Sequence, residues 1–179
     1  MENNLPKGTL SNTDKQYFMK KVLELAEKAL SLGELPIASI VVLDNKIISE
    51  AHTLEFKEKR FLVHAELLAL EKADKIYPFP GKRKDVKIFT NLEPCLMCLG
   101  ACMSFFLGEI YYSLESKGDG AVNLVKDWKK DHDKFPAYKI PYIEGGILKD
   151  ESSELFKKYI EINKESAMSN WAKSLIDFN

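Results

Sequence analysis

The chain has 179 residues, 45% hydrophobic and 30% charged, with a formal net charge of −1. That suits one domain with a sizeable core, and so balanced a charge gives no global reason to expect nucleic acid as a partner. No apolar run reaches the ~18 residues of a membrane span, no basic-then-apolar leader follows Met1, and three cysteines clustered at Cys95, Cys98 and Cys102 suit a metal site in the cytoplasm rather than a disulfide scaffold.

Residues 1–12 are polar, with Pro6 and Gly8, and read as a loose arm. Thr13-x-x-Gln16 reads as a capping box, and Phe18, Val22, Leu25, Ala29 and Leu32 form the apolar stripe of the helix behind it, which Gly33 ends. Ile37 to Leu43 is apolar and β-branched, as a strand buried on both faces should be. Asp44-Asn45 turns the chain into a return strand from Ile47 to about Ala51. Residues 52–63 are charged and poorly periodic and read as a loop. A helix follows from His64 through Leu67, Leu68, Leu70 and Ala73 until Tyr77-Pro78-Phe79-Pro80-Gly81 stops it. Residues 81–85 read as a solvated connector, Val86 to Thr90 as a strand and Asn91-Leu92-Glu93-Pro94 as a turn, with Pro94 suited to a first helical turn. The next helix runs from about Cys95 to Leu107, closed by Gly108, and Ile110-Tyr111-Tyr112 is again a strand. Beyond it come a Gly118-Asp119-Gly120 turn, a short helix with Val122, Val125 and Trp128 on one face, a loop from His132 to Pro136, and an edge strand at Ile140-Pro141-Tyr142-Ile143. Gly145-Gly146 turns the chain into a helix from about Glu151, lined by Leu155, Phe156, Tyr159, Ile160 and Ile162, and Trp171, Leu175 and Ile176 mark one more short helix. Strand, helix, strand with one-sided helices points to an α/β sandwich with crossovers.

Two cysteines three apart fall on one face of a helix's first turn, and an imidazole brought from elsewhere makes a third ligand, leaving a fourth position for water. Cys95 and Cys98 are that pair and His64 that imidazole, with Glu66 a carboxylate that stays off the metal and carries protons. His-x-Glu followed by Pro-Cys-x-x-Cys is the signature of zinc deaminases that act on nucleobases. In mid-helix, positions two apart diverge, so His64 and Glu66 must sit in a first turn or at a loop edge. Each residue has a plainer reading: Cys-x-x-Cys as a redox pair or half of a structural zinc site, His64 as a satisfied histidine, Glu66 as a solvated one. The set together favours catalysis over these, and over a zinc scaffold subunit or a metal-storage module. Cys102 is read as a packed core thiol, since on a helix it lies about 10 Å beyond Cys95. His52 is a secondary candidate for lining the pocket, and His132 an ordinary loop histidine.

At these residues the chain resembles the cytidine/deoxycytidylate deaminase superfamily, on the branch of bacterial tRNA adenosine deaminases. The resemblance is carried by Gly33-Glu34-Leu35-Pro36-Ile37-Ala38, by Leu92 to Ala101 around the cysteine pair, by Lys117 with Gly120-Ala121, and by Ile143-Glu144-Gly145-Gly146-Ile147-Leu148 followed by Glu151 and Leu155. It implies a three-layer α/β/α sandwich on a five-stranded mixed sheet, with residues 13–163 as the deaminase domain and 164–179 as its helical tail. It also implies Zn2+ held by His64, Cys95 and Cys98, Glu66 as proton shuttle, and a homodimer. The substrate pocket would draw on Pro36, Ile37, Ala38, Thr53, Ala65, Asn91, Glu93 and Pro94, with Glu93 holding a turn rather than reacting. Three positions depart from the branch: Thr53 replaces a base-contacting asparagine, Arg60 an acidic residue, and Asn91 a threonine, with the Asn91 amide expected to take over part of the base contact. Lys57, Lys59 and Arg60, then Lys82, Arg83 and Lys84, then Lys126, Lys129, Lys130, Lys134 and Lys139 read as solvated faces rather than a phosphate track. A free nucleobase, nucleoside or small amino-heterocycle is therefore the expected substrate, and adenosine in a tRNA anticodon the alternative.

Overall fold

A computed structural model describes residues 7–76, 83–128, 138–164 and 166–178. The expected stop at Tyr77–Gly81, the His132–Pro136 loop, and Lys82, Lys129, Lys130 and Lys134 lie outside them. Helix α1 (Asn12–Ser31) starts two residues before the expected box: Ser11, in extended conformation, accepts from the Asp14 amide at 3.2 Å. Phe18, Met19, Val22, Ala26 and Ala29 are buried along it. Leu32 is exposed because it is the C-cap, already out of helical phase, and Gly33 follows at φ +81°.

Strands β1 (Ala38–Leu43) and β2 (Lys46–His52) form an antiparallel hairpin. Its two-residue turn needs positive φ at both positions, and Asp44 and Asn45 adopt it at 51° and 56°. With β3 (Lys87–Leu92), β4 (Glu109–Leu114) and β5 (Tyr142–Glu144) they make a five-stranded sheet in the order β2-β1-β3-β4-β5. β1 runs antiparallel to β2 and β3, whereas β3, β4 and β5 are parallel, so the sheet is mixed. Asn91 and Leu92 belong to β3 rather than to the turn expected there.

On one face α3 (Ala65–Ile76), α4 (Leu96–Ser104) and α5 (Val122–Trp128) pack Ala69, Leu70, Leu99, Met103 and Val125 onto Val41, Ile88 and Ile110. On the other, α1 and α6 (Lys149–Ile162) cover Ile40, Val42, Phe89 and Tyr111. The α/β/α sandwich thus has its core in two layers, one on each side of β1, β3 and β4. Helix α7 (Ala167–Phe178) packs Ala172 and Leu175 against Phe156 and Tyr159 of α6, and is started by Ser166, whose hydroxyl accepts from the Ser169 amide.

Two polar segments are more tightly held than their composition suggests. Thr9 donates through its amide and hydroxyl to the Glu109 carboxylate at 3.1 and 2.6 Å, which fastens the end of the arm to β4. Arg83–Asp85 is a short 3-10 helix: Lys84 and Asp85 are exposed, as a solvated connector should be, but Arg83 is not. Arg83 is 8% exposed, its guanidinium 4.1 Å over the Phe105 ring and 2.7 Å from Asp74. A planar, weakly hydrated guanidinium buries where an ammonium would not.

Close backbone approach makes Gly108 a sensitive point. A Cβ there would lie 1.8 Å from the Lys84 carbonyl oxygen, and the Gly108 amide and carbonyl bond Val86 and Tyr142. Gly108→Ala is expected to cost about 3 kcal/mol, because backbone must shift to admit the methyl. Thermal unfolding should then fall by roughly 6–12 °C. An unchanged midpoint would show that the α4–β4 corner is slack.

Candidate active site

The chemistry-bearing residues gather where parallel strand β3 ends, the usual side for a site in such a sheet. Glu93 and Pro94 leave the strand and Cys95 is the N-cap of α4, at φ −67° and ψ 169°. Pro94 therefore precedes the cap instead of occupying the first turn. Cys98 follows in the first turn, where the helix dipole favours thiolate. His64 directly precedes α3 and Glu66 is in its first turn, the placement that lets two residues so close in sequence converge.

His64 Nδ1 is 3.7 Å from Cys95 Sγ and 3.6 Å from Cys98 Sγ, and the donor atoms of the three all lie within 4.8 Å of one another. They are the residues among those described that could together hold a metal ion. Glu66 is 4% exposed, and its carboxylate accepts from the Cys98 thiol at 3.5 Å and the Thr90 hydroxyl at 3.4 Å. Cys102, further along α4, is fully buried in the core and is not one of the grouped residues.

Charge within the cluster is already sorted. A hydrogen bond to Cys95 pushes the His64 imidazole up to about 9, against the opposing effect of burial. A hydrogen bond from Cys98, then one from His64, pulls the Cys95 thiol down to about 4. The same bond to Cys95 together with burial pushes Cys98 up, and burial pushes Glu66 up.

A cleft of about 170 Å³ opens on the cluster. Of the residues expected there, Ile37, Thr53, Ala65 and Glu93 line it with His64, Glu66 and Cys95; Pro36, Ala38, Pro94, Asn91 and His52 are not part of the lining. Asn91 is turned elsewhere. Its amide oxygen accepts from the Ala38 amide at 2.8 Å, and its nitrogen donates to the Pro36 carbonyl at 2.8 Å and the Ser152 hydroxyl at 3.2 Å. Those bonds use both N–H donors and one of the oxygen's two acceptor positions, and the side chain is fully buried outside the cleft, so it does not reach a base. His52 Nδ1 sits 2.7 Å from the Thr53 carbonyl oxygen. Glu93 accepts from the Ser116 and Val122 amides, both at 3.0 Å, and so holds the turn that brings Asp119 to the cleft.

Leu35, Glu55, Leu92, Asp119, Met168 and Trp171 complete the lining. The Gly118-Asp119-Gly120 turn was visible in the sequence, but not its place. Met168 and Trp171 lie three apart on α7, a spacing that announces one face of a helix but not what that face covers. Glu55 sits on α2 (Glu55–Glu58), a four-residue helix inside the expected loop. It carries no buried side chain, so it leaves no apolar period to read.

Residues 12–114 match the cytidine and deoxycytidylate deaminase zinc-binding region. The chain belongs to this family. It is a zinc-dependent hydrolytic deaminase that acts on an amino-heterocycle of nucleobase or nucleoside type. The deaminase is 27% identical to the tRNA-specific adenosine deaminase of Bacillus subtilis over 165 residues, covering 88% of this chain and 98% of that one. A solved tRNA:A34 deaminase, which edits adenosine to inosine at the wobble position of transfer RNA, superposes with a TM-score of 0.67 at 25% identity, over 78% of this chain and 98% of its own. The guanine deaminase of Nitrosomonas europaea shares the fold at a TM-score of 0.67 and 19% identity, over 88% of each chain.

Proposed function

We propose that this deaminase acts on adenosine in a tRNA anticodon, converting it to inosine with release of ammonia. What carries the reading is the likeness to tRNA-specific adenosine deaminases along nearly their whole length. It outweighs the preference for a free base that charge and Thr53 suggested. A cleft of about 170 Å³ suits one base taken out of its stack. Lys57, Lys59 and Arg60 are exposed on and after α2, beside the cleft, where phosphates would pass. We further take the protein to be a cytoplasmic homodimer, as its reduced cysteines and its resemblance suggest. No helix among the described residues is long and apolar enough to cross a membrane.

His64 Nδ1 and the sulfurs of Cys95 and Cys98 would hold one Zn2+ ion, which would supply an activated water. Tetrahedral bonds of about 2.3 Å to sulfur and about 2.0 Å to nitrogen put those atoms about 3.5 Å apart. The observed 3.6 and 3.7 Å fit it. Glu66, deep in the cleft and off the metal, takes a proton from the attacking water and passes it to the ring nitrogen. It then takes the second water proton from the hydroxyl now on the ring carbon and delivers it to the departing amine, so that water and the ring amine become a ring carbonyl and ammonia. Ala65 and Ile37 wall the ring in, and Glu93 keeps the Asp119 turn closed on it.

A second reading has its own observation. Met168 and Trp171 put an apolar, aromatic wall on the cleft from α7, which is anchored on α6. Such a wall suits a small free ring offered without a polynucleotide. The deciding assay measures ammonia release by zinc-loaded protein on adenine, guanine, cytosine, their nucleosides and nucleotides, and an anticodon stem-loop. Turnover confined to the stem-loop supports the tRNA reading. Turnover on a free base with the stem-loop untouched replaces it with the second.

Metal uptake should depend on pH. The protons on His64, held to about 9, and on the raised Cys98 thiol must both leave before the ion binds. Each released proton tightens binding roughly tenfold per pH unit. Competition against a chelator at pH 6.5 and 7.5 should show zinc bound about 100-fold more tightly at the higher pH. Equal affinities would mean that the ligands are already deprotonated.

A further inference from the structure

We propose that Glu55 is the positioning residue for His64, and that the buried carboxylate of Glu34 sets Glu55 in place. With Nδ1 facing both sulfurs, the other ring nitrogen of His64 points away from them. It lies 3.7 Å from the Glu55 carboxylate, the one acidic group paired with it among the described residues. A ligating imidazole is oriented by what its second N–H meets, and a carboxylate there fixes both the tautomer and the ring plane. At 3.7 Å the carboxylate faces Nε2 as an ion-pair contact, and a shift of roughly 0.5 Å closes it to a hydrogen bond on the Nε2 proton.

Glu55 is itself held. Its second oxygen accepts from the Thr53 hydroxyl at 3.1 Å, which gives Thr53 a task inside the wall of the cleft. The helix that carries Glu55 would not persist alone: α2 is four residues long, buries none of them, has no side-chain cap at Leu54, and ends on Lys59 at φ +53°. Glu34 supplies what is missing. It is 2% exposed, and its carboxylate accepts from the amides of Phe56 and Lys57 at 3.1 and 2.8 Å. An anionic acceptor on the free amides of a helix start is a strong anchor even for a single turn. Glu34 follows Gly33 at the end of α1, so a fixed helix end, a bridging turn and a carboxylate lead in sequence to the metal-facing imidazole.

The proposal rests on the metal reading of His64, Cys95 and Cys98, and its test separates the two. Zinc affinity is measured by chelator competition on the full chain as parent, Glu55→Gln and Glu34→Gln, with thermal unfolding of the zinc-free proteins as a control on the fold. Glu55→Gln should bind zinc about tenfold or more weakly with its unfolding midpoint unchanged. Glu34→Gln should weaken zinc in the same direction, though it touches no ligand. Nitrogen-15 NMR of the zinc-loaded protein should show a protected His64 Nε2 proton in the parent and faster exchange in Glu55→Gln. Equal zinc affinity in parent and Glu55→Gln overturns the proposal, also when KM rises, for then Glu55 is a substrate contact. A parent that takes up no zinc overturns the metal reading and the proposal together.

Discussion

Glu66→Gln is expected to lower kcat about 10³-fold while leaving zinc content and unfolding temperature close to those of the parent. The change is nearly isosteric, and the one glutamine oxygen can keep the bond from the Thr90 hydroxyl. What it cannot do is carry a proton, and a positioned general acid–base is worth roughly 10²–10⁴-fold in rate. Here one carboxylate serves both the attack of water and the departure of the amine, so the upper half of that range applies. Glu66 is also shut away from bulk water, so buffer cannot stand in for it. Ammonia release per zinc-loaded molecule is the measurement. Turnover within tenfold of the parent would move the proton work to another carboxylate on the cleft, Glu55 or Asp119.

Cys98→Ala should abolish activity by a different route, through loss of the metal. With one thiolate removed, only His64 and Cys95 remain, and two protein ligands fall short of the three that a catalytic zinc site keeps. Bound zinc should drop from one per chain to near zero after dialysis. The fold should survive, because α4 keeps Leu99, Cys102 and Met103 in the core. The stabilisation that zinc gives the parent should vanish, so adding zinc would raise the parent's unfolding temperature but not the variant's. Cys102→Ala is the matching control. It should retain zinc and turnover and lose about 1 kcal/mol for the small cavity left in the core. Zinc held tightly by Cys98→Ala would mean that the ligand set is not the one the geometry brings together.

How much of this was legible depended on where the cause of each feature lies. The three candidate ligands and Glu66 could be read directly, because metal geometry dictates their spacing and the carboxylate has to adjoin the imidazole. The strands were legible from β-branched runs, a five-stranded mixed sheet only through resemblance, and the strand order not until the structure showed it. The start of α1 was misplaced by two residues because Ser11 and Thr13 are both plausible caps, and which hydroxyl meets a free amide is a matter of backbone angle. Arg83 looked solvated because only the Phe105 ring and Asp74 explain its burial. The α2 turn left no trace in local periodicity, since it is held by the distant carboxylate of Glu34. Likewise, a tail helix with Trp171, Leu175 and Ile176 could be seen, but not that it docks on α6 and brings Met168 and Trp171 to the cleft.

The bonding of Asn91 bears on how such an enzyme changes its substrate over time. One side-chain amide ties together the Pro36–Ala38 segment, strand β3 and Ser152 of α6. A replacement there disturbs three parts of the frame at once, so a change at that position acts on the fold before it acts on the choice of ring. The residues free to vary are those that meet the cleft without carrying the frame, such as Ile37 and Met168. Scaffold and selectivity are thus inherited through different residues, and a lineage can drift from one heterocycle to another without passing through an unfolded intermediate sequence.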